Sequence, residues 1–142
     1  MGNSQSHINQ WKHNRKLLTQ IPPEFPDWQV TVAFYVALQA VDALLAFDKL
    51  TRVNSHEARN EVLLKTKRYQ KINEKFFPLY DLSRTVRYLA DPARWVPADR
   101  VQKDVIYRYL RPIETSVQSL MGTDLNLPDL VLATAPLPPP TA

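Results

Sequence analysis

The sequence predicts an all-α fold, an up-and-down bundle of four to five helices with a kinked last helix and a disordered carboxy-terminal tail. Three observations carry that expectation. Prolines punctuate a series of segments with helical period. Only two glycines, Gly2 and Gly122, occur in 142 residues, too few to supply primed hairpin turns. The connections between periodic segments are short, so consecutive helices are expected to be antiparallel neighbours. With 44% hydrophobic and 23% charged residues the chain can bury a single core, placed at residues 5–122.

The first helix is expected over about 5–21, where His7, Trp11, Asn14, Leu18 and Ile21 share one face and Pro22-Pro23 ends the run. The second runs from Pro26 to about Thr51; its stretch WQVTVAFYVALQAVDALLAF is apolar almost all the way round and reads as a central, buried helix. The third is expected from Asn54, with Glu57 completing a capping box, to about Lys75, carrying Ala58, Val62, Tyr69, Ile72 and Phe76 as its stripe. A fourth, shorter helix starts at Pro78 and stops at Asp91-Pro92. The fifth places Val101, Val105, Ile106, Leu110, Ile113, Val117 and Leu120 on one face across Pro112, which predicts a kink rather than two helices. After Gly122 come five of the twelve prolines. Residues 123–142 are therefore expected to be extended or disordered, with DLVLATA at most a short strand or docking peptide.

Composition removes several functional classes. So few glycines leave no phosphate loop or dinucleotide fingerprint. No cysteine means no disulfide scaffold, thiol nucleophile or cysteine-ligated zinc, and suits a cytoplasmic chain. The histidines are His7, His13 and His56; no metal and no cofactor is expected. A formal charge of +4 is compatible with an anionic partner and equally with ordinary solubility. Residues 30–47 are long enough to cross a membrane, but Gln39 and Asp42 near the middle make insertion costly and no cationic flanks mark the ends, so no membrane is expected. MGNSQS matches the N-myristoylation pattern and reads as coincidence; its alternative is a membrane-edge adaptor.

Polar chemistry concentrates in a seam along the second helix, where Thr31, Tyr35, Gln39 and Asp42 recur at steps of four, four and three. If buried, these groups must find partners. Candidates are His7 and Asn14 on helix one, and Tyr80, Arg84, Arg87 and Tyr88 on helix four. Such a cluster can be a structural device that fixes helix register, with Asp81–Arg84 an ordinary ion pair beside it. It can equally be a ligand site: guanidinium groups hold phosphate, tyrosines stack on bases and a histidine moves a proton near neutral pH. His56 and Arg59 open helix three, where free backbone N–H groups favour an anion. The basic run 65–75 and Arg94, Arg100, Lys103, Arg108 and Arg111 either contact a nucleic-acid backbone or form a solvated face.

The segments WQVTVAFYVALQAVDALLA, NSHEAR and YDLSRTVRYL resemble the HEPN superfamily over about residues 7–120. The features are Phe34-Tyr35-Ala37-Leu38 in the second helix, His56 and Arg59 at the next helix start, and Ser83-Arg84-Arg87-Tyr88 before the last helix. The resemblance implies an α-helical bundle, often dimeric, whose active members cut RNA without metal in toxin–antitoxin or defence systems. Their signature is an arginine followed after about four to six residues by a histidine. This chain departs from it: only three residues separate Arg52 from His56, no histidine follows Arg84 or Arg87, and the relatives' "ALH" stands here as Leu38-Gln39.

The functional expectation is therefore a HEPN-like protein that binds RNA or a nucleotide, either non-catalytic or a weak metal-independent endoribonuclease. His56, Arg59 and His7 are the candidate catalytic residues. Arg84, Arg87, Tyr88, Tyr35, Gln39, Asp42 and Asn14 are the candidate binding residues. A homodimer and a cognate antitoxin or other protein partner are expected. The alternative is a structural or interaction protein, a homodimeric bundle whose polar core fixes helix register.

Overall fold

A helix that is apolar around almost its whole circumference must be enclosed by other elements, and the computed structural model of this chain is arranged around one. It describes residues 3–50, 53–88 and 96–134. Helices make up 76% of these and none lies in a strand. The elements are α1 (Ser4–Leu18), α2 (Pro26–Phe47), α3 (His56–Lys65), α4 (Gln70–Tyr88), a π-helical stretch (Gln102–Leu110) and α5 (Arg111–Met121). Fourteen of the 22 residues of α2 are buried, because α1, α4, the π-helical stretch and α5 all pack on it. By length and hydropathy α2 can cross a membrane, yet 72% of its most apolar window is covered by the rest of the protein.

Asn3 caps α1 by accepting from the Ser6 N–H at 2.9 Å. The buried face of α1 is Ile8, Trp11, Arg15 and Leu18, rotated from the expected His7–Trp11–Asn14 face. The rotation follows from α5, whose Glu114 carboxylate accepts from the Trp11 indole N–H at 2.7 Å and from the Arg15 guanidinium. Pro26 starts α2 with Asp27 in its first turn. α1 and α2 run antiparallel: the Ser4 hydroxyl near the start of one donates to the Ala43 carbonyl near the end of the other at 3.0 Å. Lys49 ends α2 with φ 63, and the Leu50 N–H reaches back to the Leu45 carbonyl.

The boundary between the third and fourth helices differs from expectation. Ser55, not Asn54, caps α3, accepting from the Ala58 N–H at 3.1 Å. The chain leaves the helix at Thr66, which is extended, makes one 3-10 turn over Lys67–Tyr69 and re-enters as α4 with Pro78 inside it. Tertiary partners explain the break. Arg68 grips the Asp48 carboxylate at 2.9 and 3.0 Å and donates to the Leu120 carbonyl, and the Tyr69 hydroxyl donates to the same carboxylate. Ile72, Phe76 and Leu79, buried on both sides of Pro78, offset the hydrogen bond that proline lacks.

Across Pro112 the apolar face persists, as expected. The discontinuity takes the form of a wider register upstream, in which the Arg111 N–H bonds the Ile106 carbonyl. Leu120 is only half-buried and Met121 is buried instead. α5 closes on Gly122 at φ 64, with the Thr123 N–H on the Gln118 carbonyl.

Of the two alternatives expected for the tail, extended or disordered, residues 123–134 take the extended one and form a strap docked on the bundle. Leu130 and Leu132 are buried. Their backbone is held by Gln102, whose Nε2 donates to the Leu130 carbonyl at 2.7 Å and whose Oε1 accepts from the Leu132 N–H at 2.8 Å. Proline content signals an extended chain, and here alternate leucines anchor that extended chain. The acylation motif at Gly2, the Arg52 pairing, the Asp91-Pro92 stop, Arg94 and residues 135–142 lie outside the described residues.

A Cβ added to Gly122 would meet nothing within 4 Å, so the strain of Gly122→Ala is purely conformational. The substitution is expected to cost about 1 kcal/mol in urea unfolding.

Candidate functional site

The polar stripe of α2 finds a partner at every position. Thr31 turns back on its own helix, its hydroxyl donating to the Asp27 carbonyl at 2.8 Å. Tyr35 accepts from Arg87 Nη1 at 3.2 Å. Gln39 Oε1 takes a hydrogen bond from His7 Nδ1 at 2.8 Å. The Asp42 carboxylate accepts from Arg59 Nε at 2.7 Å and Nη2 at 3.1 Å, a two-pronged pair in which both side chains are largely buried. One contact differs from the expected cluster: the guanidinium on Asp42 belongs to Arg59 of α3, not to Arg84 or Arg87. α3 starts beside the end of α2, whereas Arg84 and Arg87 lie at the far end of antiparallel α4.

Two regions result. The first is a cavity of about 220 Å³ lined by His7, Asp42, Leu50, Val53, Asn54 and Arg59. The second is an open platform of rings and cations. The Arg87 guanidinium lies 5.5 Å from the Phe34 ring centroid, 5.8 Å from Tyr35 and 5.2 Å from Tyr88, and Nε and Nη2 donate to the Ser83 carbonyl and hydroxyl at 3.1 and 3.3 Å. Arg84 lies 5.7 Å over Tyr80 and, in place of the expected Asp81 pair, keeps no carboxylate among the described residues. Tyr35 is 37% and Tyr88 72% exposed. His56 stands between the regions, its ring 6.0 Å from Phe34 and 5.5 Å from Tyr80.

Hydrogen-bond direction limits what the histidines can do. Arg59 Nη1 donates to His56 Nδ1 at 3.3 Å, so neutral His56 carries its proton on Nε2 and offers a donor, not a base. His56 titrates below its usual value of 6.5, first because burial penalises its charge and then because Arg59 and Arg87 repel it, with Asp42 opposing. His7 gives its Nδ1 proton to Gln39, which leaves the Nε2 lone pair as the candidate proton acceptor. The Arg59 beside it is neutralised by Asp42. Among the described residues no three His, Asp or Glu side chains converge as a metal-binding group.

The remaining sequence-derived positions sort by location. Asn14 is outside the site, accepting from Gln10 at 2.9 Å on the outer side of α1, because the burial of Arg15 turns that face away. The α3 amino terminus is satisfied by Ser55, and the Arg59 head turns inward. Several basic side chains are paired: Lys65 with Glu61, Arg68 with Asp48, Arg100 with Asp104 and, at 3.7 Å, Arg111 with Asp129.

Two features escaped sequence reasoning. Phe34 and Ser83, quoted in the family resemblance but given no role in the site, shape the platform, Phe34 as a buried floor under both His56 and Arg87. The Arg15–Glu114 pair, with Trp11 on the same carboxylate, is a second buried charged network. Its one sequence signal was a charged residue inside each apolar face.

Asp42→Asn removes the charge facing a buried guanidinium and is expected to cost about 3 kcal/mol of unfolding free energy; denaturant titration reads it. For His56 the depressed folded-state pKa means the unfolded chain binds the proton first. Its contribution is present above pH 6.5 and is lost as the pH falls below it toward the folded pKa. Wild type should therefore lose more stability than His56→Gln between pH 7.5 and 5.5, measured by urea midpoints.

No family model, curated protein or solved structure compared with the chain matches it, so the functional reading stands on the site itself.

Proposed function

We propose that the chain binds RNA or a phosphate-bearing nucleotide on the platform of Tyr35, Arg84, Arg87 and Tyr88. The observation that carries this is the state of Arg87. It is pre-positioned by Ser83 and three aromatic rings. Like Arg84, it has no carboxylate partner among the described residues. A guanidinium held in place without a counter-charge supplies phosphate affinity at low ordering cost, and the exposed tyrosines offer faces for bases. His56, neutral and with its proton on Nε2, adds a hydrogen-bond donor at the platform's edge. The HEPN resemblance supports the same ligand class. With it come the further proposals of a homodimer, a cognate partner protein and a cytoplasmic role in toxin–antitoxin or defence systems.

The geometry favours binding over cleavage. Metal-independent cleavage needs a base for the 2′-hydroxyl and a cation free for the phosphorane. His7 is the one histidine of the site with an available lone pair, and the guanidinium beside it is already held by Asp42. The closed Asp42–Arg59 and His7–Gln39 pairs favour the alternative reading for this part of the seam, a device that fixes the register of α1, α2 and α3.

Fluorescence anisotropy with end-labelled single-stranded RNA tests the proposal. The Arg84→Ala, Arg87→Ala double variant is expected to bind at least about tenfold more weakly. It should also lower the slope of log affinity against log salt by about 1.4, about 0.7 for each lost phosphate contact. Equal binding by wild type and double variant would remove these residues from the function.

A further inference from the structure

The strap sits in a groove between α1, the π-helical stretch and α5 whose lining shares no residue with the platform, and the groove recognises it by its backbone. Gln102 holds the Leu130 carbonyl and the Leu132 N–H at once. Gln118 Oε1 accepts from the Leu125 N–H at 2.8 Å, and Arg15 donates to the Pro128 carbonyl. Side chains are read at alternate positions, Leu130 at 6% and Leu132 at 5% exposure flanking Val131 at 66%. Main-chain contacts plus alternate side-chain pockets are how extended peptides are recognised.

The strap underfills this groove. Cavities of about 200 and 450 Å³ remain beside it, both bounded by Arg15 and by strap residues 127–130. Besides the paired Arg15 and Glu114, their walls carry Arg111, Lys12 and Lys16, and the acidic strap residue on those walls is Asp129, 3.7 Å from Arg111. Lys12 and Lys16 have no carboxylate partner among the described residues. The link to α5 is a natural pivot, since Gly122 is left-handed with open space around it and Thr123 and Asp124 are exposed.

We infer that the groove is a docking site for an extended, acidic, leucine-containing peptide of a partner protein, and that residues 125–132 occupy it as an internal competitor. Charge complementarity selects the acidic partner, and the unfilled volume gives its larger side chains room. The site is independent of the RNA platform.

The test uses the full chain and its Leu130→Asp, Leu132→Asp variant, which evicts the strap while leaving the groove intact. The probes are two labelled peptides, one with the sequence of residues 124–134 and one carrying Pro128→Glu in that sequence. The variant is expected to bind the first peptide at least ten times more tightly than wild type and the second more tightly still. Adding Gln102→Ala is expected to abolish both. A helical variant that binds neither peptide, or binding equal to wild type, would overturn the inference. Should the variant fail to fold, hydrogen exchange on wild type decides: excess acidic peptide must accelerate exchange at the Leu132 amide, and unchanged protection overturns the assignment. A wild-type dimer that the peptide dissociates would give the groove to a second copy and overturn the partner assignment.

Discussion

Enclosure of α2 is the constraint from which the rest of the molecule follows. Its fourteen buried residues run from Gln29 to Leu45 and take in most of its apolar side chains, Trp28 and Phe47 near the ends staying exposed, so no single neighbour can cover it. Burial of this kind is worth roughly 25 cal/mol for each Å² of apolar surface removed from water, and the covering helices take their places for that gain. Enclosure also creates the polar problem. Tyr35, Gln39 and Asp42 lie on the same helix and would each lose on the order of 1–3 kcal/mol if covered without partners. Three neighbouring helices bring them: α1 brings His7, α3 brings Arg59 and α4 brings Arg87.

Those three solutions are not equivalent, and the difference separates architecture from chemistry. Asp42–Arg59 is a largely buried, doubly bonded charge pair, and His7–Gln39 is a neutral hydrogen bond beside it. Both spend their polar capacity inside the protein. Arg87 instead meets a phenol and three ring faces, contacts that orient a cation without cancelling it. A site able to attract an anion must keep such a charge in a defined place, and among the described residues the guanidinium along this stripe without a carboxylate is the one at the Tyr35 end.

The second charged network, Arg15 with Glu114 and Trp11, joins the first helix to the last across about a hundred residues of sequence. It sets the rotation of α1 and displaces Asn14 from the site. Arg15 also reaches the Pro128 carbonyl of the strap. One guanidinium thereby ties together the bundle's first helix, its last helix and the strap, which it holds at Pro128.

The all-α class, the central place of α2, the polar seam and the continuity of the last apolar face across Pro112 were legible in the order of residues, because they rest on local periodicity and on what proline and glycine permit in the backbone. His56, Arg59 and His7 were also legible as candidates, since they are polar residues at a helix start or on an apolar face. Which guanidinium meets Asp42, where α3 gives way to α4, that Glu114 is a buried anion, and whether the leucines after Gly122 have a surface to dock on were decided only by the tertiary structure. Each depends on a meeting between residues tens of positions apart. Hydrogen bonds and ion pairs act over a few ångströms, and only the packing of whole helices brings such groups within reach.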